Sequence, residues 1–292
     1  MGKEYKVLQA NDMMDTIAYM IPDVVYASPG GKDLRMTILR PWPAEIPDPP
    51  VRKDPLIVFI QGSAFRFPDM YRKIPQLSMF ARAGYVVASI EHRSSLEGNP
   101  FPAFLEDAKT AVRFLRAHAE EYGIDPDRVA AWGSSSGAAT ALLLSLTGDQ
   151  EKYKTKDYAG WSDHVDAVVD CFGPTDLTDI FEALARGEEF PYSDSFKMLA
   201  GDRSREQMER IKELSPVYHI RRSARNGFVP TLILHGEQDP TVDYSQSELL
   251  YDELSSRGAD VALIRVAGAL HERNFWSQAV LDEILAFLRR VL

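Results

Sequence analysis

Gly133-Ser134-Ser135-Ser136-Gly137 follows the apolar run Val129–Trp132 and runs directly into the small residues Ala138-Ala139-Thr140-Ala141. This is G-x-S-x-G between a strand pattern and a helix pattern. A turn that sharp strains its central residue, and the flanking glycines let neighbouring backbones close in. The Ser135 oxygen would then be held clear of the sheet at a helix N-terminus, whose dipole favours developing negative charge. Alone the pattern is weak, because a serine-rich helix cap reads the same way.

A serine hydroxyl is a poor nucleophile until a base takes its proton. Downstream, Leu234-His235-Gly236-Glu237-Gln238-Asp239 puts a carboxylate just past an apolar run. The next run leads into Gly268-Ala269-Leu270-His271-Glu272. Taken singly, Asp239 before Pro240 is a turn residue and His271 an exposed loop histidine. Together, Ser135, Asp239 and His271 stand in the order nucleophile, acid, base that this kind of turn takes. The chemistry expected is acyl transfer through Ser135, with His271 as base and Asp239 as its orienter. Asp243 is the substitute acid. The remaining histidines read as structural: His118 on a helix face, His92 and His235 at strand ends, His164 and His219 towards an insertion.

Acyl transfer also needs donors aimed at the oxyanion. The N–H of Ser136 is one expected donor. The loop Gln61-Gly62-Ser63-Ala64-Phe65 supplies others, since its small residues let the backbone approach a substrate. Phe65, Phe67, Tyr71, Phe101, Phe275 and Trp276 lie near ends of runs that face the nucleophile. Phe65, Phe101 and Trp276 are the first choices for an apolar acyl pocket, with core packing as the competing assignment. No H-E-x-x-H, P-loop or Gly-rich dinucleotide fingerprint occurs, so neither metal nor cofactor is expected.

The elements that must position these residues alternate. Strands are expected at Val24–Ala27, Leu34–Arg40, Leu56–Ile60, Val86–Ile90, Val129–Trp132, Ala167–Cys171, Thr231–Leu234 and Ala262–Val266. Leu56–Ile60 and Leu232–Leu234 are continuously apolar, as in strands covered on both faces. The first two strands are expected to pair as an antiparallel edge. Helices are expected from about Pro102 to Tyr122, through Ala138–Leu146, and from about Phe275 to Val291. Six prolines within Arg40–Pro55 predict a stiff surface connection.

The chain has 292 residues, of which 45% are hydrophobic and 26% charged, which suits a single folded α/β domain with an ample core. Its net charge of −10 argues against nucleic acid or an anionic membrane surface as partner. Cys171 is the only cysteine, so no internal disulfide can form. The N-terminus reads as polar, without a secretory leader. Met1-Gly2 lacks the Ser or Thr wanted for myristoylation, because Lys6 stands in its place. These features predict a cytoplasmic protein with a small-molecule substrate and no membrane partner, and leave homo-oligomerisation open.

SIEHRSSLEGNPFPAFLEDAKTAVRFLRAHAEEYGIDPDRVAAWGSSSGA, VDAVVDCFGPTDL, LSPVYHI, HGEQDPTV and GALHE occur in that order. In these stretches the chain resembles the carboxylesterase branch of the α/β-hydrolase superfamily, with its bacterial acetyl- and feruloyl-esterase-like members. The likeness covers residues 24–292. It implies an α/β-hydrolase fold: an eight-stranded, mostly parallel sheet flanked by helices in one domain over 1–292, with a small helical, cap-like insertion at 176–226. It implies hydrolysis of short-chain or aromatic carboxylic esters, and gives Ser135, Asp239 and His271 the roles argued above. It places the oxyanion amides at Ser63, Ala64 and Ser136. The chain departs from the family's usual His-Gly-Gly-Gly loop at Gln61-Gly62-Ser63-Ala64, and from Ala-Gly-Gly at Ser136-Gly137-Ala138. Two alternatives stay open: a small serine exopeptidase of the prolyl-oligopeptidase type, and a non-catalytic ligand-binding homologue.

Overall fold

The computed structural model describes residues 6–11, 16–42, 52–200, 205–223 and 227–292. The Pro-rich connection expected within Arg40–Pro55 falls largely on residues 43–51, outside the described residues. Eight strands form one sheet: β1 (Ala18–Ala27), β2 (Leu34–Pro41), β3 (Asp54–Ile60), β4 (Val86–Ile90), β5 (Ile124–Ser134), β6 (Ala167–Cys171), β7 (Thr231–Gly236) and β8 (Val261–Val266). Their spatial order is β1-β2-β4-β3-β5-β6-β7-β8. β1 and β2 are antiparallel, as expected; β2 also runs antiparallel to β4, and every later pairing is parallel.

The helices are α1 (Ile74–Arg82), α2 (Ala103–Ala117), α3 (Ala119–Tyr122), α4 (Ser136–Leu146), α5 (Thr178–Ala185), α6 (Ser193–Ala200), α7 (Arg205–Leu214), α8 (Pro216–Arg222), α9 (Ser245–Ser255) and α10 (Gln278–Val291). The single helix expected from Pro102 to Tyr122 is two, broken at His118, and the second ends on Gly123 at φ 67°. Glycine adopts that left-handed cap without a Cβ penalty. α10 begins three residues later than expected: the Ser277 hydroxyl caps it by accepting from the Val280 N–H. That leaves Phe275 free to be fully buried in the core.

Strand side chains alternate between two cores, which is why the central strands read as unbroken apolar runs. Leu56, Val58 and Ile60 of β3 join α2, α4 and α9 on one face, while Ile57 and Phe59 meet α1 and α10 on the other. Trp132 centres the second core, with its ring edge-on to Phe59 and Phe80 and its indole N–H on the Cys171 sulfur at 3.4 Å. Cys171 is fully buried, and burial pushes its thiol well above the usual range. On the α2 side, Asp163 accepts from Lys109 at 2.7 Å and Arg113 at 2.9 Å, with all three side chains fully buried. Removing one partner of such a cluster leaves a buried charge unpaired, at a cost of about 3–5 kcal/mol.

The stretch between β6 and β7 carries α5 to α8. Of these, α8 packs on α4 and α9 with Val217 and Ile220 fully buried, so it belongs to the sheet's helical layer. No described helix is long and apolar enough to cross a membrane.

Candidate active site

The strand-to-helix turn brings Ser135 to φ 52° and ψ −126°, a region that a residue with a Cβ rarely occupies. Its own N–H is held by the Cys171 carbonyl at 2.9 Å, and its carbonyl accepts the N–H groups of Ala138 and Ala139 as α4 begins. The two motif glycines are sterically required. A Cβ at Gly133 would lie 2.2 Å from the Gly137 oxygen, and one at Gly137 would lie 2.0 Å from the Ile60 oxygen.

Two loops meet the serine from the neighbouring strand ends. Past β7, the Glu237 and Gln238 N–H groups donate to Val266 and Ala269, so the loops carrying Asp239 and His271 are bonded together. Asn274 braces the histidine loop, accepting from the Leu270 N–H at 2.8 Å and donating to the Gly268 carbonyl at 3.2 Å. The Phe172 ring stands edge-on to the imidazole at 4.7 Å. His271 Nε2 lies 3.1 Å from Ser135 Oγ, and His271 Nδ1 lies 2.6 Å from Asp239 Oδ2. The structure thus brings together all three residues singled out by order alone. Asp243 is not among them: its carboxylate caps the Ser245 N–H at 2.9 Å.

Asp239 is more heavily engaged than the sequence suggested. Its Oδ1 accepts from the Thr241 and Val242 N–H groups at 2.8 and 3.0 Å. A second imidazole also faces it, His235 Nε2 lying 3.3 Å from Oδ2. Burial alone would raise the Asp239 carboxyl. Hydrogen bonds from His235, His271 and the two amides outweigh that and hold it well below the usual carboxylate range. His235 is fully buried, with Nδ1 2.6 Å from Ser247 Oγ and Nε2 3.0 Å from the Val242 carbonyl. Reading His235 as structural missed this contact. The i to i+4 spacing from His235 to Asp239 across a strand end was the available signal.

The loop after β3 presses directly on the serine turn: a Cβ at Gly62 would lie 2.8 Å from Ser135 Cβ. Ala64 and Phe65 both take left-handed backbone conformations, at φ 52° and 59°. The Ser63 N–H, expected to face the oxyanion, instead donates to Ser136 Oγ at 3.0 Å. Ser136 carries a hydroxyl where the usual family residue has none, and that hydroxyl is the acceptor which captures the amide. The expected aromatic pocket also needs correction. Phe65 and Phe101 are buried together against Phe104 in one core. Trp276 packs in the opposite core beside Phe172 and Trp132. The three rings do not form one wall, because the sheet runs between the two groups.

Behind the site, Asp170 at the end of β6 is fully buried. One oxygen accepts the Gly173 N–H at 2.8 Å and the other has no partner among the described residues. Burial, only partly offset by the Gly173 hydrogen bond and by His235, raises its carboxyl to about 6. An acid raised in the folded state lowers stability as pH climbs from its ordinary value towards the raised one, after which the loss levels off. Asp170→Asn, which resembles the protonated acid, should therefore match the parent near pH 4. It should be more stable at pH 7–8 by on the order of 2 kcal/mol. Urea denaturation at the two pH values checks this; equal gains at both would locate the effect elsewhere.

An eight-stranded, mostly parallel sheet with a strained serine turn and a serine–histidine–aspartate relay on its strand ends defines an α/β-hydrolase. Within that class the chain belongs to the BD-FAE family, whose model matches residues 45–254. It is similar to the esterases LipC and LipQ of Mycobacterium tuberculosis. Identity is 26% over 227 residues and 29% over 251, spanning 77% and 81% of this chain. The chain spans about half of each of those relatives, 54% and 53% of their length. Among solved structures, a truncated carbohydrate esterase from gut microbiota superposes with a TM-score of 0.75 at 26% identity. That match covers 96% of this chain and 98% of the other.

Proposed function

We propose that this chain is a serine carboxylesterase that hydrolyses short-chain or aromatic esters, of acetyl or feruloyl type, through an acyl-enzyme on Ser135. The observation that carries the proposal is the continuous hydrogen-bonded relay from Ser135 Oγ through His271 to the ionised Asp239. Ser135 Oγ attacks the ester carbonyl carbon while His271 Nε2 takes its proton. Charge on the carbonyl oxygen is met by the Ala64 and Ser136 amides, neither of which has an acceptor among the described residues. Collapse of the intermediate breaks the ester C–O bond, and His271 returns the proton to the departing alcohol. Water, deprotonated by the same imidazole, then attacks the acyl-enzyme, releasing the carboxylic acid and regenerating the serine.

In this reading residues 1–292 act as one unit, and the 176–226 stretch supplies a small cap through α5 to α7, while α8 stays in the sheet's helical layer. α6 sits against the loop after β3: Ser195 Oγ donates to the Ala64 carbonyl and Phe196 meets Phe65 edge-on. Beside them Arg66 stacks over the half-exposed Tyr192 ring at 4.6 Å. A cap this short, with the charged helix Arg205–Leu214 within it, is a poor lid for long acyl chains. We expect kcat/KM for acetyl, butyryl or feruloyl esters to exceed that for palmitoyl by on the order of 100-fold. A panel of these esters with an amide control tests it. A maximum on palmitoyl would overturn the substrate class, and amide turnover rivalling the esters would favour a peptidase.

A further inference from the structure

Glu272, the residue after His271, has a backbone at φ 65° and a carboxylate met by four donors. Its Oε1 accepts from Gln61 Nε2 at 3.1 Å and Ser134 Oγ at 3.2 Å. Its Oε2 accepts from Lys73 Nζ at 2.7 Å and Trp276 Nε1 at 2.9 Å. The Lys73 ammonium also lies over the Trp276 ring, 4.5 Å from its centre. Lys73 and Glu272 side chains are only 9% and 16% exposed.

Each donor belongs to a different part of the site. Gln61 opens the loop that carries Ser63 and Ala64. Ser134 precedes the nucleophile, and its hydroxyl, while donating to Glu272, accepts the Gly62 N–H at 3.1 Å. Lys73 stands at the start of α1, and Trp276 closes the histidine loop. The carboxylate is thus the node joining the base-bearing loop to the backbone on both sides of the expected oxyanion site. A buried ion pair gains little stability over apolar packing of the same volume. Its presence one residue from the base therefore calls for a reason other than stability.

We propose that Glu272, anchored by Lys73, is a positioning residue that holds His271 in register with Ser135 and with the Gln61–Ala64 loop. The proposal rests on Ser135 acting as the nucleophile. Burial alone would raise the Glu272 carboxyl; Lys73, Trp276 and Gln61 outweigh it and keep the group below its ordinary range, so the charged form is the one held. Small misplacements of reacting groups can lower turnover about 100-fold without contact to substrate.

The test compares Glu272→Gln and the double variant Lys73→Met/Glu272→Gln with the parent on p-nitrophenyl acetate. kcat is expressed per site titrated by a fluorophosphonate probe. Glu272→Gln should lower kcat by about 10–100-fold with KM changed by less than about threefold, the pattern of lost alignment rather than lost binding. The rate of probe labelling should fall in parallel. Should Glu272→Gln not fold, the double variant removes both buried charges together and should fold. It should still turn over about 10–100-fold slowly. Either variant, folded and with parental kcat per titrated site, overturns the proposal, since a purely structural role would change only the titratable fraction and the melting temperature. If the parent lacks esterase activity, or Ser135→Ala retains it, the serine mechanism fails instead, and the two failures are told apart.

Discussion

Ser135→Ala should abolish ester turnover, lowering kcat by about 10⁶, because members of a relay that acts as a unit lose nearly everything with the nucleophile. The fold should survive. Alanine keeps the Cβ that the turn already accommodates at φ 52°, and the N–H to Cys171 and the carbonyl bonds to α4 are backbone contacts. Circular dichroism and melting temperature should therefore stay close to the parent while fluorophosphonate labelling disappears. The neighbouring serines give the contrast. Ser134 Oγ and Ser136 Oγ accept the Gly62 and Ser63 amides, so their alanine variants loosen the adjoining loop but leave a nucleophile to be labelled. Labelling lost from Ser134→Ala or Ser136→Ala but kept in Ser135→Ala would transfer the nucleophile to another residue.

Asp239→Asn should lower kcat by about 10⁴ with the site geometry largely kept, because the imidazole loses the partner that fixes its tautomer. Here the effect has a second source. The same carboxylate receives His235 as well as His271, so an amide pointing its NH₂ towards either ring sets donor against donor. The acid is held below its ordinary range, so its contribution to stability is present above the usual carboxylate pKa and is lost as pH falls through the depressed value. The variant should accordingly show a flatter stability profile at the acid end. Steady-state kinetics with urea denaturation from pH 3 to 7 measures both; a near-parental rate would remove Asp239 from the relay.

The strands were legible because burial on two faces leaves apolar runs bounded by turn residues, and Val86–Ile90 and Ala167–Cys171 match to the residue. The Ser, Asp, His order was legible because a relay has few residue types to choose from and the topology orders them. What escaped is what depends on distance across the sheet. Nothing in the spacing says that Phe65 and Trp276 fall in opposite cores, or that the Ser136 hydroxyl intercepts the Ser63 amide. Lys73 and Glu272 lie far apart in the chain, and each reads as an ordinary surface charge until the fold buries them together. The break at His118 was hidden because the apolar face continues across it.

The hydroxyl of Ser195, bonded to the Ala64 carbonyl and facing Ser95 Oγ at 3.0 Å, makes the cap something other than an interchangeable part. Ala64, whose own N–H lies on the preceding peptide, is thereby held at its carbonyl by a helix some 130 positions downstream. With Ala64 as the oxyanion donor proposed above, selectivity and rate would not be separately evolvable. A cap exchanged to admit a new acyl group would also release a carbonyl next to the proposed donor, so new specificity would arrive with slower chemistry until that one acceptor is satisfied again.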